Sequence, residues 1–342
     1  MRVLLHDALS GVFHRSGIGQ ALRQQKEALD RVGGTRVQSL DQRPDVVQLN
    51  FATPASRSLA VRARRRGIPV LYYAHSTEED SRGSLPLSDL LAPLYRRWLT
   101  ACYESADLVL TPTPYSKRLL QGYGLSAPIE VLSNGVDTDH FCPDEAAGLD
   151  FRRRYGIDPR TTMVVCVGHY FRRKGIVDMV DAARRHPDIE FWWFGHTDTH
   201  LVQSDVRAAL AHRPSNFRLA GYVDRATIRD AYRAADAFCL ASTEETEGIV
   251  VLEALAAGTP VLARDIPVYE GWLHDGVSAH LFRDASGLSR LLGAVRAGVL
   301  TDTTRAGREV AWERDLTAVA HRLPALWEQT VAYATARGRS GS

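Results

Sequence analysis

The run Glu245-Thr-Glu-Gly-Ile-Val-Val-Leu-Glu253 carries the most specific chemical promise in this sequence. Gly248 stands where a helix should begin, and Glu253 falls about one and a half turns inside that helix. The first amides of a helix have no partner within it and carry the positive end of its dipole, so those around Gly248, Ile249 and Val250 suit a phosphate. Glycine lets the backbone approach the ligand because no Cβ intervenes. Carboxylates receive paired O–H donors, which suits Glu253 to a ribose and Glu245 to a second, hydroxyl-rich group. A phosphorylated sugar nucleotide has both features. Glu244 and Glu247 are explained equally well as acidic complements of the helix dipole.

Those residues need a frame that presents a helix N-terminus beside other loops. Short apolar runs alternate with amphipathic stretches along the whole chain, which predicts parallel sheets with helices on both faces, an α/β fold. In the first half the strand candidates are residues 2–5, 46–49, 70–74, 108–111 and 129–132, with helices over 19–32, 58–66 and 90–105. The segment from Ser133 to Pro143 breaks the pattern, and residues 143–147 read as a polar connector. A second series follows: strands at 163–167, 190–194, 217–220, 237–240 and 261–263, with helices over 176–185, 226–234 and 248–257. The expected organisation is a Rossmann-like domain over 1–143, a second over 144–310, and carboxyl-terminal helices over 311–335 bracing back to the first.

The 342 residues are too many for one ordinary core and enough for two. A net charge of +2 gives no general attraction to nucleic acid. Cys102, Cys142, Cys166 and Cys239 lack metal-ligand spacing and read as free thiols of a reducing compartment. No apolar run approaches the roughly 20 residues that span a bilayer, so the protein is expected in the cytoplasm or resting on a membrane face.

Several blocks together resemble the retaining glycosyltransferases of family four. They are the paired glutamates with Ala254-Leu-Ala-Ala-Gly-Thr-Pro-Val261 behind them, and Ser133-Asn-Gly-Val-Asp137. His75-Ser-Thr-Glu-Glu-Asp80, Thr111-Pro-Thr-Pro-Tyr-Ser-Lys117 and Arg264-Asp-Ile-Pro-Val-Tyr-Glu-Gly-Trp272 are similar to one subgroup, the diacylglycerol glycosyltransferases of Gram-positive bacteria. The resemblance implies a GT-B fold, two doubly wound domains facing a cleft, and transfer from a UDP-sugar with retention and without a metal or other cofactor. It places Lys174 at a diphosphate-binding lysine, His75 beside the transferred sugar, Gly17 and Gly19 on the phosphate side of the donor, and Tyr222 near uracil. His169 stands where the family has an arginine, which makes Arg173 the candidate second cation. By their own spacing, Gly17 and Gly19 are equally a tight turn, and Tyr222 is equally a core residue.

The acceptor implied is a lipid, diacylglycerol or its monoglycosyl derivative, reached from an anionic membrane surface. Leu90, Leu91, Leu94, Trp98 and Leu99 recur at helical spacing near Arg96 and Arg97, which fits either an interfacial helix or an ordinary core stripe. A soluble or polyprenyl-linked acceptor, a UDP-sugar epimerase and a non-catalytic nucleotide-sugar binder are the competing readings. Asp137-Thr-Asp139 has the form of a divalent-metal motif but belongs to the Asn-Gly-Val-Asp block, and reads as structural. His196, Asp198 and His200 lack the further partner that zinc requires.

Overall fold

The computed structural model describes residues 1–6 and 17–340, which form two compact units. The first consists of Met1–Ser81, Leu90–Gly135 and Arg314–Ser342, and the second of Arg82–Asp89 and Val136–Glu313.

In the first unit six parallel strands, β1 (Arg2–His6), β2 (Thr35–Arg36), β3 (Val46–Leu49), β4 (Val70–Tyr73), β5 (Leu108–Thr111) and β6 (Ile129–Val131), lie in the order β2-β1-β3-β4-β5-β6. Strands β3, β4 and β5 are buried throughout, as their near-continuous apolar sequences require of a sheet covered on both faces. The crossovers carry α1 (Gly17–Arg31), α2 (Pro54–Arg65), α3 (Glu78–Ser81), α4 (Ser88–Tyr103) and α5 (Pro114–Gln121). Helix α2 starts four residues before the expected 58, because Thr53 accepts a hydrogen bond from Ser56 N at 3.1 Å and Pro54 supplies a preset φ at the first position.

The second unit repeats the scheme with β7 (Thr162–Val167), β8 (Ile189–Phe194), β9 (Phe217–Gly221), β10 (Ala237–Leu240), β11 (Val261–Arg264) and β12 (His280–Phe282), in the order β12-β11-β10-β7-β8-β9. Its helices are α6 (Glu145–Tyr155), α7 (Ile176–Arg185), α8 (Ser204–Ala211), α9 (Arg225–Ala234), α10 (Ile249–Ala256), α11 (Ala285–Arg296) and α12 (Thr304–Trp312). The expected polar connector at 143–147 is instead the start of α6, since the Asp144 carboxylate caps it by accepting from Ala147 N at 3.0 Å. Strand order reverses between β7 and β10, so the loops leaving their carboxyl ends lie side by side at the kind of switch point where open α/β sheets bind ligands.

Helix α13 (Leu316–Ser340) returns to the first unit, where Val319, Ala320, Leu323, Leu326 and Trp327 complete a core with Val3, Leu71, Tyr73 and Leu110. Trp327 is buried and donates from Nε1 to Gln48 Oε1 at 3.0 Å, while Gln48 Nε2 donates to Gln25 Oε1 at 2.8 Å. Trp312, at the end of α12 in the second unit, is half exposed under the Arg308 guanidinium. Trp327→Ala should therefore cost about 3–5 kcal/mol by urea denaturation, and Trp312→Ala no more than about 1 kcal/mol.

Candidate active site

The second unit builds its site from the two loops that meet at the strand-order reversal. After β7 the chain runs through Gly168 and His169 into a 3-10 turn at Arg172–Lys174, then Gly175 and α7. Gly175 has φ +73°, and a Cβ there would meet the Ala241 carbonyl oxygen at 2.3 Å. Only glycine permits this approach, which presses the basic turn against the loop after β10. That loop reaches Gly248, with φ +88°, as the N-cap of α10.

Lys174 and Glu245 meet at this junction. Lys174 Nζ donates to Glu245 Oε1 at 2.5 Å, and Ser242 Oγ donates to the same oxygen at 2.7 Å. Arg173 Nη1 lies 3.9 Å from Glu245 Oε2 and donates to the Glu244 carbonyl at 3.2 Å. Glu245 is only 5% exposed. Burial alone would push its carboxyl up, but Lys174, Arg173 and the Lys174 and Ser242 hydrogen bonds outweigh that and hold it below the usual carboxylate range.

Arg173 is clamped from a distant part of the sequence. Its Nε donates to Ser84 Oγ at 2.7 Å, its backbone N–H donates to Gly83 O at 3.1 Å, and its carbonyl accepts from Thr243 N at 2.8 Å. Gly83 and Ser84 belong to the Arg82–Asp89 segment, which leaves the first unit's run of sequence to join the second. The separation of 89 residues left no sequence signal for Ser84. Ser242 was missed as well, since a serine at a strand end has many structural uses.

The other candidates fall as follows. Ile249 and Val250 open α10, and Glu253 is buried inside it with Tyr232 Oη donating to Oε2 at 3.2 Å. Tyr222 is 47% exposed beyond β9, which removes the core explanation for it. His169 donates through Nδ1 to the His196 carbonyl at 2.9 Å and stacks on Phe171. Burial, reinforced by Lys174 and Arg173, lowers its pKa against the opposing His196 bond, so it is neutral and brings no charge to the arginine position. Gly17 and Gly19 lie in the first turn of α1, but Arg15 and Ser16 before them are outside the described residues.

His75 belongs to the first unit, just past β4. It is buried, stacks on Tyr73 at 4.3 Å between ring centres, and its Nε2 faces Asn50 Oδ1 at 3.3 Å. Burial lowers its pKa to about 3 despite a bond with Asn134, so it acts as a neutral hydrogen-bonding group. Asp137 pairs with Arg225 at 3.4 Å and caps His140 N, a structural use. Among the described residues no three metal-ligating side chains converge.

Lys174→Met leaves Glu245 buried without its main partner and should lower stability by about 3–5 kcal/mol, with Lys174→Met/Glu245→Leu regaining most of that loss in denaturant titrations. Because the folded pKa of Glu245 is depressed, its stabilisation is complete above the unfolded value of about 4.3 and is lost as pH falls through the lower folded value. The stability gap between wild type and Glu245→Gln should therefore narrow on acidification below roughly pH 4. His75 has the same sign: its depressed pKa favours the fold above about pH 6.5, and its ring signals in NMR should stay flat from about pH 5 to 8.

Comparison with known proteins agrees with this geometry. Residues 19–140 match the description Glycosyltransferase Family 4, and residues 149–287 match Glycosyl transferases group 1. The processive diacylglycerol alpha-glucosyltransferase of Acholeplasma laidlawii is 34% identical over 334 residues, 97% of this chain and 99% of that protein. The alpha-galactosylglucosyldiacylglycerol synthase of Streptococcus pneumoniae is 24% identical over 250 residues, 70% of this chain and 66% of that protein. The solved structure of Anabaena Alr3699/HepE with UDP-glucose superposes with a TM-score of 0.75 at 17% identity, covering 96% of this chain and 100% of that one. With two parallel six-stranded sheets and a match along nearly its whole length, the chain belongs to the family-four glycosyltransferases of GT-B fold.

Proposed function

We propose that the protein transfers glucose or galactose from a UDP-sugar to diacylglycerol or a monoglycosyl-diacylglycerol, giving an α-linked glycolipid. The observation that carries this reading is the meeting of Lys174 and Arg173 around Glu245 beside the start of α10, in a chain similar over its length to a diacylglycerol glucosyltransferase. Lys174 and Arg173 are the cations suited to a diphosphate, to which the first amides of α10 add.

In the proposed reaction the bond from the anomeric carbon to the β-phosphate oxygen breaks and the acceptor hydroxyl oxygen bonds to the same face. Its proton passes to a phosphate oxygen of the departing UDP. Lys174, Arg173 and the helix start stabilise the developing charge, so no divalent metal is needed. Glu253 binds the ribose, Tyr222 packs near uracil, and Glu245 and neutral His75 bind sugar hydroxyls. Gly17 and Gly19 keep the role the family resemblance implies, on the phosphate side of the donor.

The acceptor side rests on α4. Its Leu99 is buried, while Leu90 and Leu94 are 75% and 60% exposed, and Leu87 just before it is 68% exposed. This separates an outward apolar face from the core stripe and supports an interfacial role on an anionic membrane. No described helix is long and apolar enough to cross a membrane, and the protein is proposed to rest on the cytoplasmic face.

Purified protein incubated with UDP-glucose or UDP-galactose and vesicles of either lipid should yield an α-glycolipid, unchanged by EDTA. A β-linked product, or activity lost to EDTA and restored by Mn²⁺, would sink the mechanism. The triple substitution Leu87→Ser, Leu90→Ser, Leu94→Ser should weaken flotation with anionic vesicles about tenfold or more at unchanged Tm.

A further inference from the structure

The loop after β11 brings one more functional group to the head of α10. Pro267–Tyr269 form a 3-10 turn that drives the Tyr269 ring inward, and the side chain is only 2% exposed. The ring packs edge-on against Trp272 at 5.3 Å, and Trp272 Nε1 is tied to the Val268 carbonyl at 2.6 Å. Backbone bonds from Trp272 N and Leu273 N to the Tyr269 carbonyl, at 3.2 and 3.0 Å, hold the turn. The ring is therefore fixed by its surroundings.

Its hydroxyl lies over Gly248, where a Cβ would stand 3.2 Å from Oη. That hydroxyl has no hydrogen-bond partner among the described residues. A buried O–H without a partner is costly, and sites that retain one commonly meet a ligand there. Burial, with Glu245 adding to it, pushes the phenol pKa well up, so the group is a permanent neutral donor.

We propose that Tyr269 Oη donates a hydrogen bond to a hydroxyl of the transferred sugar, the same hydroxyl whose proton Glu245 accepts. The inference rests on the donor-site reading above. A sugar hydroxyl both donates and accepts, so a carboxylate and a phenol flanking Gly248 satisfy it from two sides. Glu245 Oε1 already receives Lys174 and Ser242, while Oε2 has Arg173 only at 3.9 Å and retains acceptor capacity. Such a pair selects for a hydroxyl at that point of the sugar and leaves the nucleotide unread.

Tyr269→Phe keeps the ring and deletes only the hydroxyl. It should lower kcat/KM for the UDP-hexose about tenfold and weaken UDP-hexose binding in calorimetry, leave the Kd for UDP within about twofold, and leave the ligand-free Tm equal or higher. With a monodeoxy UDP-hexose lacking the contacted hydroxyl, wild type and variant should become equal. Four results would overturn the inference: kcat/KM and UDP-hexose affinity unchanged in Tyr269→Phe, equal weakening of UDP and UDP-hexose, a fall in ligand-free Tm, or a penalty that persists across a full panel of monodeoxy donors. A wild-type protein that neither binds nor turns over any UDP-hexose would instead overturn the donor-site reading itself.

Discussion

The second unit is organised around one buried ion pair, Lys174 with Glu245. Each partner sits on a different loop, and those loops meet because β7 and β10 are neighbours at the reversal of strand order. Gly175 makes the meeting sterically possible, since any side chain there would collide with the Ala241 backbone. Gly248 then turns the chain from the carboxylate into α10. A buried pair of this kind is weak evidence for stability in itself, because desolvation of both charges offsets their attraction. Its value lies in fixing a lysine and a carboxylate at the mouth of a helix.

Arg173 adds a second cation near Glu245, and the amides of α10 add the positive end of a helix dipole. His169 lies close by but is neutral, so the cations at this point are Lys174 and Arg173. The neutral Ser242 adds a hydrogen bond to the same carboxylate oxygen that Lys174 holds.

Arg173 depends on Arg82–Asp89, a segment taken from the middle of the first unit's sequence. Gly83 and Ser84 hold its backbone and guanidinium, while Leu85 and Leu87 of the same segment stay exposed. One short stretch thus carries both the partners of Arg173 and two exposed leucines.

Periodicity and punctuation in the sequence determined the two parallel sheets, because a buried strand and an amphipathic helix each leave a local pattern. The head of α10, with Gly248 between Glu245 and Glu253, was legible for the same reason: its meaning is contained in nine consecutive residues. Local chemistry also decided the misreadings, since the Thr53 and Asp144 caps are single polar residues whose effect shows only once their partners are in place. Tertiary structure alone decided that Lys174 bonds Glu245, that Ser84 holds Arg173, that His75 is buried and neutral, and that Tyr269 covers Gly248. Pairings between distant segments, and the desolvation that sets a side chain's charge, are properties of the packed chain. No stretch of residues read by itself contains them.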